Sequence, residues 1–174
     1  MQFVPWRYIA DWRCTSCGMC CKFYSVVLSF PEWLHIVGKY GVENTASGLD
    51  KLLIRRRSDG SCAFLSNFPK PSTCELQSTK PRACKIWPFK VLAQPEFGYP
   101  NQASYQVGKS KLFIYADPAC RGLTFGAPTW EFANHSLREF IEIAMGIRET
   151  QYKTTGGFPS DADQNIIRAL RKHI

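Results

Sequence analysis

Residues 12–23 read WRCTSCGMCCKF and set four cysteines, Cys14, Cys17, Cys20 and Cys21, within eight positions, the last two adjacent. Two overlapping C-x2-C units let thiolates converge, with the intervening backbone N–H groups turned toward the sulfurs. Four more cysteines follow at wider spacing, Cys62, Cys74, Cys84 and Cys120. All eight therefore fall between residues 14 and 120, and the helical-looking C-terminal third carries none.

Three readings of such a set compete. A disulfide scaffold is usually a small secreted chain, denser in cysteine than this one. The N-terminus, MQFVPWRYIADWRC, has no basic region followed by an apolar run and no small-residue cleavage site, so a secretory signal is not expected. Adjacent Cys20 and Cys21 are also poorly placed to bridge each other. Scattered core thiols explain a single cysteine such as Cys120 but not four in eight positions. Metal ligation explains the spacing best. Adjacent side chains are expected to diverge, so Cys20 and Cys21 point toward different metal atoms or different sites. The C-x2-C-x2-C run suits an iron–sulfur cluster, while zinc more often takes two separated C-x2-C pairs. Iron–sulfur is favoured, with Zn2+ as the alternative. The CxxxCxxC of radical enzymes that use S-adenosylmethionine is absent.

The chain does not need such staples merely to fold. Its 174 residues are 45% hydrophobic, with twelve Phe, seven Tyr and five Trp, enough for one compact core. No apolar run reaches membrane-spanning length, and a soluble cytoplasmic protein is expected. The formal charge is +8, from 22 basic and 14 acidic residues. If eight thiolates removed eight charges and two divalent ions restored four, +4 would remain. An anionic metal site would thus offset part of the basic excess, and composition alone does not decide between that and a nucleic-acid surface.

Local patterns give an α+β reading as a single domain over residues 1–174. Residues 14–126 form a cysteine-rich, irregular part with short strands organised around metal, and residues 127–174 a helical segment. A strand is expected over CKFYSVVLSF, ending at a capping box formed by Ser29 and Glu32. A helix follows, with Trp33, Ile36 and Val37 on one face. A second short helix is expected near residues 46–57, with Leu49, Leu52 and Leu53 inward. Arg55, Arg56 and Arg57 would form its solvated end, where they complement the helix dipole. Strand-like pieces occur at Ser61–Leu65, Lys90–Ala93, Ala103–Val107 and Lys111–Tyr115. From Pro128 a long amphipathic helix is expected, with Trp130, Ala133, Leu137, Phe140, Ile141, Ala144 and Ile147 along one face. A last short helix, with Ile166, Ile167 and Leu170 on one face, follows Ser160.

The ordered set CTSCGMCC, GSCAFL, CELQSTKPRACKIWPF and CRGLTFG resembles the CxxCxxCC family, the YkgJ-like zinc- or iron-chelating proteins. The resemblance covers residues 14–126. It implies that Cys14, Cys17, Cys20, Cys21, Cys62, Cys74, Cys84 and Cys120 are the metal ligands. The family's Arg-Pro-x-x-Cys-Arg reads here Lys80-Pro81-Arg82-Ala83-Cys84-Lys85, and Lys for Arg at two places removes bidentate geometry. A similar module occurs in flagellin lysine N-methylases, which use S-adenosylmethionine, although no glycine-rich loop for that cofactor follows a strand here.

No Ser-His-Asp, HExxH, P-loop or paired-carboxylate motif is present. His35 and His135 read as structural, and His173 lies in a tail. Lys80, Arg82 and Lys85 could stabilise thiolate charge around Cys84, and Trp87 and Phe89 could shield a cluster from water. Three tasks stay open: a redox or protein-modifying enzyme, a structural-zinc module on RNA or an acidic protein, and a metal-delivery or assembly factor within a complex.

Overall fold

The computed structural model describes residues 2–66, 72–76 and 79–151. The chain opens with β1 (Val4–Pro5) and, after a 3-10 turn, β2 (Ile9–Trp12). A short helix α1 (Met19–Phe23) then precedes β3 (Val27–Leu28) and α2 (Phe30–Tyr40). Next come β4 (Thr45–Gly48), β5 (Lys51–Ile54), β6 (Leu65–Ser66) and β7 (Thr73–Cys74). Helix α3 (Arg82–Ile86) leads to β8 (Phe89–Leu92), α4 (Pro100–Ala103), β9 (Ser104–Val107) and β10 (Ser110–Ala116). The described chain closes with β11 (Leu123–Phe125), a π-helical turn (Phe132–Ser136) and α5 (Leu137–Ala144). Helices and strands are thus mixed as expected for an α+β chain. No helix among the described residues is long and apolar enough to cross a membrane.

Two hydrophobic cores organise these elements. The first is built on an antiparallel sheet in which β10 pairs with β1, β8 and β9. Its buried residues include Trp6, Ile9, Trp12, Phe89, Ile114, Phe132, Phe140 and Ile141, so α5 closes one face of the sheet. The small β2–β11 sheet joins this core. The second gathers Leu28, Ile36, Ile54, Cys62, Phe64, Leu65 and Leu76 around α2, the β3–β5–β4 sheet and the β6–β7 pair. Each core combines elements distant in sequence, and hydrophobic burial is what favours their meeting.

Several expectations hold. The strands at 90–93, 103–107 and 111–115 form as β8, β9 and β10 with shifted ends. The capping box at Ser29 forms, with the Ser29 backbone N–H and hydroxyl both donating to Glu32 Oε2 at 2.8 Å. Glu32 also does something its local sequence does not reveal. Its Oε1 accepts the Arg82 N–H at 2.6 Å, tying the start of α3 to the start of α2. Partial burial pushes the Glu32 carboxyl upward, but the bonds from Arg82 and Ser29 outweigh it and hold the group below its usual 4.5. A depressed folded value contributes stability above the unfolded pKa, and that contribution is lost as pH falls through the folded one. Urea unfolding of wild type is therefore expected to weaken below pH 4.5 more steeply than that of Glu32→Gln. Parallel slopes in the two proteins would contradict this.

Other expectations are corrected. Residues 46–57 are not a helix: β4 and β5 form a hairpin. Leu52 and Leu53 pair with Leu28 and Val27, and Asp50 takes a positive φ of 57° that no helix accommodates. The Leu49, Leu52, Leu53 spacing fits a helix equally well, so long-range strand pairing decides the outcome. Leu49 is 95% exposed at the hairpin tip instead of inward. The expected strand from Cys21 shrinks to β3, because Cys21–Phe23 belongs to α1. The expected 61–65 strand is reduced to β6 and an isolated bridge between Cys62 and Arg56. The C-terminal helix buries Leu137, Phe140 and Ile141 as expected, but it ends at Ala144. Trp130 and Ile147 are 70% and 66% exposed, so neither joins its inner face. The last short helix falls outside the described residues.

Candidate metal centre

Cys14 and Cys17 lie on the loop that leaves β2, and Gly18 ends it with a φ of 71° before α1 begins. That left-handed conformation suits glycine and redirects the chain between the two halves of the cysteine run. Cys20 and Cys21 then sit on α1. Their sulfurs lie 3.8 Å apart, which corrects the expectation that the adjacent side chains diverge. The separation is that of two thiolates on one tetrahedral ion, about 3.8 Å for metal–sulfur bonds of about 2.3 Å. Cys62 forms the bridge with Arg56, Cys74 ends β7, Cys84 rides on α3, and Cys120 closes a turn after β10.

These scattered segments meet. All eight cysteines line one cavity of about 320 Å³, together with apolar side chains from both cores, among them Trp12, Phe89, Ile54 and Leu65. All eight are free thiols. Among the described residues, no three or more Cys, His, Asp or Glu donors are already gathered around a single ion position. What the fold provides is convergence of the donors on a shared space, with final closure left to side-chain rotation.

The electrostatics of these thiols show why a cation suits the space. Burial raises Cys62, Cys74 and Cys84 above the ordinary thiol value, and the neighbouring cysteines add to the rise. Cys21 is raised by its hydrogen bond with the Cys20 thiol and by burial. That same bond lowers Cys20 to about 7, against the opposing effect of burial, and the charge of Lys80 helps. Thiols crowded in an apolar space cannot all ionise alone, whereas a bound cation reverses that preference. The donor set therefore fits a thiophilic metal.

Side chains without obvious sequence signals hold the cysteine segments in place. The Arg run is not a solvated helix end. Arg56 donates from Nη1 to the Tyr24 carbonyl at 2.6 Å and from Nη2 to the Lys22 carbonyl, clasping the end of α1. Arg57 donates to the carbonyls of Leu65 and Ala63 at 2.7 and 2.6 Å, clasping the segment after Cys62. Their charges also draw Cys62 downward, against burial. Asp117 is buried, accepts the Tyr24 hydroxyl at 2.7 Å and, through its carbonyl, the Cys120 N–H at 3.1 Å. The only sequence trace of that turn is the Asp-Pro pair three residues before Cys120.

The residues flanking Cys84 divide. Lys80 lines the cavity, Lys85 Nζ instead donates to the Glu149 carbonyl at 2.8 Å, and the Arg82 N–H is held by Glu32. Trp87 lines the cavity beside Tyr24, ring centroids 4.1 Å apart. Phe89 lines it too, and packs on Trp12, Phe132 and Phe140. His35 and His135 do not line it, and His173 lies outside the described residues.

Cys14 and Cys120 are brought together by the β2–β11 pairing, extended by the Arg13 N–H bond to the Gly122 carbonyl at 2.9 Å. Backbone approaches so closely here that a Cβ on Gly122 would stand 2.1 Å from the Arg13 carbonyl oxygen. Gly122→Ala is expected to lower stability by about 2 kcal/mol, because rigid backbone must move to admit it. Chemical denaturation measures this, and an unchanged midpoint would contradict the close approach.

A family model, CxxCxxCC, described as "Putative zinc- or iron-chelating domain", matches residues 13–121. The protein belongs to the CxxCxxCC family. That span begins one residue before Cys14 and ends one residue after Cys120, so the CxxCxxCC match brackets all eight cavity thiols. No curated protein and no solved structure matches the chain.

Proposed function

We propose that this CxxCxxCC protein is a cytoplasmic metalloprotein. Its metal-binding set is Cys14, Cys17, Cys20, Cys21, Cys62, Cys74, Cys84 and Cys120, and thiolates from this set hold an iron–sulfur cluster in the cavity, four to a cluster. The observation that carries this is the convergence of all eight thiols, from six separate segments or turns, on one apolar space of about 320 Å³. A single ion needs no void of that size, since one water occupies about 30 Å³ in the liquid. Trp12, Tyr24, Trp87 and Phe89 shield the space with aromatic surface, which favours a polynuclear group kept from water. A cluster so held would supply electron transfer or activation of a bound substrate, and a redox or protein-modifying role follows from that chemistry. Lys80, Arg56 and Arg57 place positive charge beside the thiolates.

A second reading, zinc held by the same cysteines, rests on the 3.8 Å between the Cys20 and Cys21 sulfurs. Anaerobic purification with metal analysis and a visible spectrum separates the two. Iron with acid-labile sulfide and a coloured protein is the expected result. A colourless protein with stoichiometric zinc would replace the cluster by the second reading, and metal-free protein with paired disulfides would overturn both.

A further inference from the structure

Trp12 ends β2, is buried in the first core and also lines the cavity. Its indole N–H donates to Cys120 Sγ at 3.3 Å. A buried indole N–H ordinarily finds a partner, and here, with Trp12 only 8% exposed, the sulfur takes that place. The fold fixes this geometry from several sides. Trp12 pairs with Leu123 across the β2–β11 ladder, which sets the Cys120 turn beside it. That turn is held by the Cys120 N–H bond to the Asp117 carbonyl and the Leu123 N–H bond to the Cys120 carbonyl, at 3.1 and 3.3 Å. Phe89 and Phe140 meet the indole edge-on, each at 74°, and keep it from turning away. Gly122 leaves the indole room, since a Cβ there would stand 3.3 Å from its nitrogen.

We propose that Trp12 is a positioning residue of the metal centre: its indole N–H fixes the Cys120 thiolate and raises the reduction potential of the metal atom that Cys120 holds. The inference rests on the metal-centre reading above and gives a role to a residue that is not itself a ligand. Hydrogen bonds to ligating sulfurs are among the levers by which a protein sets the potential of a thiolate-bound metal. An N–H dipole aimed at the sulfur stabilises negative charge on it, so the thiolate gives less electron density to the metal. The reduced, more electron-rich state is then favoured. The indole does this as a neutral donor, without adding a charge to the cavity. Away from water such a bond is electrostatically stronger than the same bond at the surface. The aromatic layer of Phe89, Phe132 and Phe140 supplies that setting.

The test compares wild type, purified anaerobically with its metal, with Trp12→Phe, which keeps an aromatic ring and removes the N–H. Metal content, visible spectrum and reduction potential are measured on both. The expected result is unchanged metal content, a potential more negative than wild type, and sulfur-to-metal charge-transfer bands moved to longer wavelength. Where the loaded metal is zinc, cobalt(II) exchanged into the site reports the same movement of the bands. Phe132→Leu thins the same core and leaves the indole N–H in place. It is expected to lower the denaturation midpoint without moving potential or bands. If Trp12→Phe fails to fold or to load, the benzothiophene analogue of tryptophan at position 12 keeps the indole shape without the N–H, and only shifted readouts there sustain the proposal. Loaded Trp12→Phe with wild-type potential and bands would overturn it, as would an equal shift in Phe132→Leu. Wild type that carries no metal would instead remove the metal-centre reading itself.

Discussion

Removing metal from the protein is expected to loosen the second core far more than the first. Thiolate sites contribute folding free energy on the order of 10 kcal/mol when metal binds, and the second core gathers Cys21, Cys62 and Cys74, with the Cys20 sulfur beside that of Cys21. Its strands are short: β3, β6 and β7 have two residues each, too few to be stable without packing or ligation. The first core has its own sheet centred on the seven-residue β10, and α5 across it. Hydrogen exchange followed by mass spectrometry, with and without chelator, reads this directly. Peptides covering 19–28, 51–66 and 72–76 are expected to lose protection by several orders of magnitude, while those covering 89–92, 110–116 and 137–144 change little. Equal loss in both regions would show one cooperative unit, and no loss anywhere would show that metal contributes nothing to the fold.

Phe140→Ala is expected to cost about 4 kcal/mol, within the usual range for truncating a buried aromatic. Phe140 is fully buried, and its ring packs on Phe89 and Trp12 at centroid distances of 4.5 and 5.1 Å. With Leu137 and Ile141 it packs α5 on the sheet, and by way of Trp12 it reaches Cys120. Two effects are therefore expected together, a lower denaturation midpoint and easier loss of metal from the Cys120 side of the cavity. Phe140→Leu keeps much of the volume and should cost about 1 kcal/mol. A destabilisation of Phe140→Ala no larger than that of Phe140→Leu would mean that α5 does not close the first core. Destabilisation without change in metal release would break the link through Trp12.

Local chemistry was legible where a few neighbouring residues decide the structure. Ser29 and Glu32 announce a helix start because the capping box closes within one turn. Leu137, Phe140 and Ile141 announce a buried helix face through their spacing, and the short apolar run of β10 announces a strand. Trp130 and Ile147 carry the same helical spacing but stand outside the packed stretch, so periodicity overstated the length of the inner face. Leu49, Leu52 and Leu53 fit two structures, and only Val27 and Leu28, more than twenty positions away, select the hairpin.

The candidate site divides along the same line. The sequence alone determined that Cys14, Cys17, Cys20 and Cys21 stand close enough to act together, since their spacing is covalent. It also gathered Cys62, Cys74, Cys84 and Cys120 into one family pattern. Which thiols face which core, and how near Cys20 and Cys21 lie, only the tertiary structure decided. So too the roles of Arg56 and Arg57 on distant carbonyls, of Asp117 under Tyr24, and of Gly122 against Arg13. Each depends on where the two cores place segments far apart in the chain, and non-local packing leaves no mark at the residues it joins.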